Sequence, residues 1–323
     1  MINIKYINSE KFININKSSD NLFSKEDKEI DSIFVTNDKK IEFVRFKNNT
    51  LLMGIKSSFR SNSYYNIHDL RLKKVKNILM DMDGTTMLSE KFWVEMLRIS
   101  VVKVTKDDNF KFSDSDFPYI SGHSVTEHLS YCIDKYKLKC KLFELKKIYD
   151  DIVDYNLDNL ELSSNAHFFE PREGLKKFLL KIKEKGIKIA LVSSGSTKKV
   201  TATLNCVFKN MNMGNPLDYY DCIITGGDAC KKLKYGTIGE LYAKPYPCLY
   251  EEAYYIGLGL TKDDLEYTIA IEDSASGIYS ILSSNITPIG ISGGNIKASG
   301  VEPLCYKYFK SLEEIEEYFI DNK

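Results

Sequence analysis

The chain has 323 residues, and its 45 Lys and Arg balance 45 Asp and Glu. A formal charge of zero gives no global attraction to nucleic acid or to an anionic membrane surface. Seven cysteines lie scattered without a CxxC pair, and four histidines show no zinc-type spacing. That usage fits reduced thiols in the cytoplasm rather than a disulfide or zinc framework. The N-terminal stretch MINIKYINSEKFININ has no uninterrupted apolar segment of the kind a signal peptide needs. No apolar run is long enough to span a bilayer.

Residues 1 to about 25 are rich in Asn, Ser, Lys and Ile, a polar and biased composition that tends toward disorder. Apolar runs follow at Ile33-Phe34-Val35, Ile41 to Phe46 and Leu51 to Ile55, separated by Asn-Asp-Lys-Lys and Asn-Asn-Thr. Turn-like separators between short apolar runs predict a small antiparallel β meander. Residues 58 to 74 read as a polar connector, so 1–74 is set apart as an N-terminal extension.

Asn77 to Met80 is a short apolar run, the pattern of a buried strand, and it ends on Asp81-Met82-Asp83-Gly84-Thr85-Thr86. Residues i and i+2 of an extended chain point to one side, so Asp81 and Asp83 face one crevice. Two carboxylates so placed repel unless a cation or a proton intervenes. A strand ending in a polar turn is the simpler alternative. An EF-hand loop is excluded, because it needs Gly at position six and Glu at twelve, where this chain has Thr86 and Phe92.

The signal then turns helical. Ser89 is placed to cap a helix carrying Phe92, Trp93, Met96, Leu97 and Val101. Val125, Leu129, Cys132 and Ile133 recur at helical spacing, as do Leu142, Leu145, Ile148 and Tyr149. Residues 87–168 therefore read as a helical insert. From Pro171 a helix with Leu175, Phe178, Leu179 and Ile182 on one face ends at Gly186. Strands at Ile187 to Val192, Cys222 to Ile224, Thr268 to Ile271 and Thr287 to Ile291 alternate with helices, and 229–241 reads as a loop or small insertion. The helix after Lys244-Pro245-Tyr246-Pro247 carries Leu249, Ala253 and Ile256, and Ser311 to Glu314 has the form of a capping box. Alternation of this kind predicts a Rossmann-like α/β core with a parallel sheet covered on both faces, built from 75–86 and 169–323.

Four loops that follow strands carry polar residues: Asp81 and Asp83, Ser193-Ser194, Lys244, and Glu272-Asp273. In a parallel sheet such ends meet at one edge. Carboxylates, hydroxyls and an ammonium gathered there suit phosphoryl transfer. Each piece also has a plain alternative: a capping turn at Ser193, a solvated lysine at Lys244, an exposed strand end at Glu272.

The run Asp-Met-Asp-Gly-Thr after a buried strand, with Ser193, Lys244-Pro245 and Glu272-Asp273 following in order, resembles the haloacid dehalogenase (HAD) superfamily. The resemblance covers residues 75 to about 293. It is nearest to the branch that includes β-phosphoglucomutase and phosphoglycolate phosphatase, in which the insert is a helical cap. It implies that Asp81 is the nucleophile and Asp83 the acid/base, with Asp83 also offering its carbonyl to a metal. It implies that Ser193, Ser194 and Lys244 bind phosphate. It also implies that Asp273, with Glu272, joins Asp81 and Asp83 in holding Mg2+. The expected activity is Mg2+-dependent hydrolysis of a small phosphorylated metabolite, sugar phosphates among the candidates, through a phospho-aspartate. A phosphomutase is the second reading, and a degenerate HAD domain used for binding or regulation is the third. In the cap, Gly122-His123-Ser124-Val125 falls near the family's substrate-contact loop. Val125 stands where mutases carry arginine, which disfavours the second reading.

Overall fold

The computed structural model describes residues 11–56, 62–68, 71–120, 125–160, 169–226 and 242–321. The expectations for 229–241 and for Gly122, His123 and Ser124 lie outside the described residues.

The central sheet contains β6 (Asn77–Asp81), β9 (Lys188–Ser193), β10 (Cys222–Thr225), β11 (Thr268–Glu272), β12 (Thr287–Ile291) and β13 (Lys307–Phe309). Its order is β10-β9-β6-β11-β12-β13, and every pair is parallel. Alternation along β6 explains the two layers around it. Ile78 and Met80 join the core formed with Phe178, Leu179, Val200 and Leu204, on α5 (Leu175–Glu184) and α6 (Thr197–Asn210). Leu79, between them, joins the opposite core with Leu249 and Ala253 of α7 and Ile278 and Ile281 of α8. Here α7 is Cys248–Glu251 extended by a π-helical stretch, Glu252–Gly257, and α8 is Ala275–Ser283. The π-helical stretch breaks the expected helical register, so Leu249 and Ala253 are buried while Ile256 is exposed. At α9 (Leu312–Glu316), Ser311 Oγ accepts from the Glu314 amide. The Glu314 carboxylate turns to the Lys310 amide, so only half of the expected capping box forms.

The N-terminal residues build more than a three-run meander. A five-stranded antiparallel sheet runs in chain order through β1 (Phe12–Ile15), β2 (Ile30–Thr36), β3 (Ile41–Phe46), β4 (Leu51–Ile55) and β5 (Ser63–Ile67). Two strands thus fall where the sequence suggests a polar tail and a connector. β5, Ser-Tyr-Tyr-Asn-Ile, carries tyrosines rather than aliphatics and so hides its strand character. One face of this sheet, with Phe12, Phe43, Leu51, Met53 and Ile55, shares a core with α7 and α8. Phe43 and Tyr279 rings lie 6.2 Å apart there. On the other face Phe23 packs edge-on against Phe46 and Tyr64.

The helical insert contains α1 (Glu90–Thr105), α2 (Phe117–Ile120), α3 (Val125–Tyr136) and α4 (Leu142–Asp158). It leaves and rejoins the core through β7 (Met87–Leu88) and β8 (Glu170–Pro171), two short strands paired antiparallel. Asp116 ties it internally, accepting from the Ser113 amide and hydroxyl and from the hydroxyls of Tyr131 and Tyr136 at 2.6–2.7 Å. Lys198 on α6 reaches Asp154 at 3.3 Å and Asp158 at 2.9 Å on α4. Lys40, in the β2–β3 turn, pairs with Glu127 of α3 at 2.5 Å. These ion pairs are exposed, and pairs of that kind contribute only about 0–1 kcal/mol each.

Candidate active site

The C-terminal ends of β6, β9 and β11 are adjacent in the sheet. Asp81 pairs in register with Val192, one residue before Ser193, while Met80 faces Ile271, one residue before Glu272. Lys244 enters this edge from the loop before α7. Its Nζ donates to Asp81 Oδ1 at 2.5 Å, Glu272 Oε1 at 2.6 Å and the Val192 carbonyl at 3.2 Å. Three acceptors for three donors leave the buried ammonium satisfied. Burial works to lower its pKa, but Asp81 and Glu272 outweigh this and hold it raised.

Glu272 uses both oxygens. Oε1 accepts from Lys244 and from the Tyr250 hydroxyl at 3.2 Å, while Oε2 accepts from the Asp273 and Ser274 amides and the Ser274 hydroxyl. Asp273 is the opposite case. It is buried, and no described donor reaches its carboxylate. Burial, Asp81 and Glu272 push its pKa well up, against Lys244 and Arg172. Burial also raises the Asp81 carboxyl to about 7, with Glu272 adding and Lys244 opposing.

One oxygen from each of Asp81, Glu272 and Asp273 can be chosen so that all three lie within 4.8 Å of one another. Three carboxylates against one ammonium leave an excess of negative charge, and Asp273 meets no donor among the described residues. That donor set fits a hard divalent cation. The first loop approaches closely: a Cβ on Gly84, whose φ is +84°, would stand 1.9 Å from Asp273 Oδ2.

Asp83, also at this edge, has its own set of partners. Ser89 Oγ donates to its Oδ1 at 2.5 Å, Trp93 Nε1 stands 3.4 Å from the same oxygen, and Lys199 Nζ lies 2.8 Å from Oδ2. Burial works to raise the Asp83 pKa, but Lys199, Ser89 and Trp93 outweigh it and hold the carboxyl below the usual range. Ser89 therefore makes no side-chain cap for α1, contrary to expectation; its hydroxyl is turned to Asp83 instead. Ser193 is buried at the end of β9, where its Oγ accepts from the Gly195 amide at 3.1 Å. Ser194 Oγ accepts from the Lys244 amide at 3.3 Å, linking the serine loop to the lysine loop.

Sequence reasoning missed Lys199 and Arg172 and gave Ser89 and Trp93 only structural parts. Lys199 is one of many lysines, and only the fold of α6 brings it to Asp83. The guanidinium of Arg172, just after β8, bonds the Gly84 carbonyl, the Ser292 carbonyl at 2.5 Å and Ser292 Oγ at 3.1 Å. It fastens the first loop to the segment after β12.

Residues 78–291 match the family model of haloacid dehalogenase-like hydrolases. The chain belongs to that family. It is an enzyme by that membership, and the match begins beyond the N-terminal sheet. Solved structures share the fold at low identity. A β-phosphoglucomutase from Clostridium difficile is 20% identical with a TM-score of 0.52, covering 76% of this chain and 98% of its own. CbbY from Rhodobacter sphaeroides, in complex with phosphate, is 17% identical with a TM-score of 0.53, covering 75% and 96%. A predicted phosphoglycolate phosphatase from Haemophilus somnus is 17% identical with a TM-score of 0.55, covering 76% and 98%. No curated protein matches the chain. Among the described residues, no helix is long and apolar enough to cross a membrane.

Proposed function

We infer that this HAD hydrolase is a Mg2+-dependent phosphatase of small phosphorylated metabolites, working through a phospho-Asp81 intermediate. The observation that carries the reading is the Asp81–Lys244–Glu272 bridge with Asp273, a buried carboxylate without a described donor, beside it. Asp81, Asp273 and the Asp83 carbonyl would hold the cation. Glu272, whose oxygens are already engaged, serves to anchor Lys244 and the start of α8. When bound, the ion neutralises these carboxylates and the oxygens of the phosphoryl group.

The residues divide the work. Asp81 attacks phosphorus, forming a P–O bond as the ester P–O bond breaks. Asp83, held toward its ionised form by Lys199 in the free enzyme, takes up the proton of the bound phosphate monoanion and passes it to the leaving oxygen. Asp83, then ionised, takes a proton from water as that water attacks the phospho-aspartate, freeing Asp81 and inorganic phosphate. The Lys199, Ser89 and Trp93 contacts favour that ionised form. Ser193 and Ser194 hold the phosphoryl oxygens, and Lys244 joins them with the donor it now gives Asp81, released as that carboxylate turns to phosphorus. The insert at 87–168 closes over this edge and excludes bulk water.

Phosphorus NMR on a panel of phosphorylated metabolites, with Mg2+ and with EDTA, tests the reading. Steady phosphate release with Mg2+ and none in excess EDTA is expected. Fast isomerisation primed by a sugar bisphosphate, with little free phosphate, would make the enzyme a mutase. Full turnover at verified negligible metal would remove the cation from the mechanism.

A further inference from the structure

Lys199 has a setting unlike that of the other cations at this edge. Lys244 is enclosed by its acceptors, and the Arg172 guanidinium is spent chiefly on backbone carbonyls. Lys198, the neighbour of Lys199, turns to the insert. The Lys199 stem passes the serine loop, where a Cβ on Gly195 would stand 3.0 Å from Lys199 Cδ. Its ammonium lies 2.8 Å from Asp83 Oδ2 and 4.0 Å from the centre of the Trp93 ring. The side chain is 22% exposed, against 7% for Lys244. A carboxylate and an indole face thus fix the charge while leaving it reachable.

We propose that Lys199 is a specificity-determining residue that receives an anionic group, a carboxylate or a second phosphate, on the leaving side of the substrate. This rests on the phosphatase reading, because Asp83 marks where the leaving oxygen goes. An oxygen within hydrogen-bond reach of Asp83, about 2.6–3.2 Å away, brings its substituent beside the Lys199 ammonium. An anion one or two carbons beyond that oxygen is then in reach. An ammonium is a compact charge with three rotatable donors, so it accepts either anion. Charge-assisted hydrogen bonds are about twice as strong as neutral ones, so a neutral polyol gains less there.

Three ligands that differ only on the leaving side provide the test: 2-hydroxyethyl phosphate, phosphoglycolate and ethylene glycol bisphosphate. Calorimetric titration of the full chain carrying Asp81→Asn, with Mg2+, reads binding without turnover. At least one anionic ligand should bind about ten-fold or more tighter than the neutral one, and adding Lys199→Met should bring that ratio to within about two-fold. Lys199→Arg should restore most of the preference. The anion with the larger Lys199-dependent ratio identifies the class. No anion preference with Lys199 present, or a preference that survives Lys199→Met, overturns the assignment. Phosphate release from the same ligands with Asp81 intact separates the two readings. Lys199-dependent binding without release overturns hydrolysis and leaves Lys199 assigned, whereas release without anion preference does the reverse.

Discussion

Gly84 and Asp273 are so close that a single methyl group cannot come between them. A Cβ on Gly84 would stand 1.9 Å from Asp273 Oδ2, at a φ of +84°. Gly174 has nearly the same φ, +81°, with nothing within 4 Å of its Cβ position. The pair separates steric exclusion from backbone strain. Gly174→Ala should cost about 1–2 kcal/mol, the strain of a left-handed residue, and keep near-normal kcat. Gly84→Ala should carry the same strain and also displace Asp273, cutting kcat/KM by about 100-fold or more by the measure of losing one preorganised charge contact. Equal kinetics in the two variants would separate Asp273 from the chemistry.

Lys244→Ala should damage stability as well as rate. The lysine is buried between Asp81 and Glu272, and its removal leaves two carboxylates facing each other. Breaking a buried pair in this way costs about 3–5 kcal/mol. The loss of its charge at the phosphoryl group should slow turnover by about two to three orders of magnitude. Urea denaturation and phosphate release on the same preparations check both effects. A variant of normal stability would mean that Lys244 is not held as the geometry has it.

The N-terminal sheet cannot be removed cleanly. Phe12, Ile41, Phe43, Leu51, Met53 and Ile55 are buried in the core that contains Tyr250, Ala253 and Ile278. Deleting residues 1–60 should therefore give insoluble or aggregated chain, by exposing a large apolar face. Phe43→Ala in the full chain should cost about 3–5 kcal/mol. Soluble truncated protein with wild-type melting behaviour would overturn this.

Asp116 should make the insert acid-sensitive. Burial works to raise its pKa, but the hydroxyls of Tyr131, Tyr136 and Ser113 and the Ser113 amide outweigh it and hold it low. A group lowered on folding contributes stability that is present above the ordinary carboxylate range. That contribution is lost as pH falls toward the folded value. Asp116→Asn should cost about 1–3 kcal/mol near neutrality and flatten the acid limb of the melting curve, as scanning calorimetry between neutral and acid pH would show. An unchanged acid limb would assign the sensitivity to other carboxylates.

The core was legible where burial follows a simple period. Ile78, Leu79 and Met80 alternate between two layers, and Leu175, Phe178, Leu179 and Ile182 form one buried stripe as their spacing requires. Asp81, Ser193 and Glu272 converge because parallel strands deliver their ends to one edge, and Lys244 joins them from the loop before α7. What escaped was tertiary. Nothing local distinguishes Ser89 as a cap from Ser89 as a donor to Asp83, and the choice is made by where β7 leaves the first loop. Tyr64 and Tyr65 form a strand without an aliphatic pattern. Lys199 needed the position of α6 before it could be paired with anything.

Trp93 is the only tryptophan in the chain. It is carried by α1 of the insert, and its ring lies 4.0 Å from Lys199 Nζ on the core side. The molecule thus contains a single native tryptophan fluorophore where the insert meets the core. An indole that loses an ammonium from its face and meets water changes its emission. Excitation of the unlabelled wild-type enzyme therefore reads the position of the insert directly, with no dye, no engineered cysteine and no background from a second chromophore of the same kind.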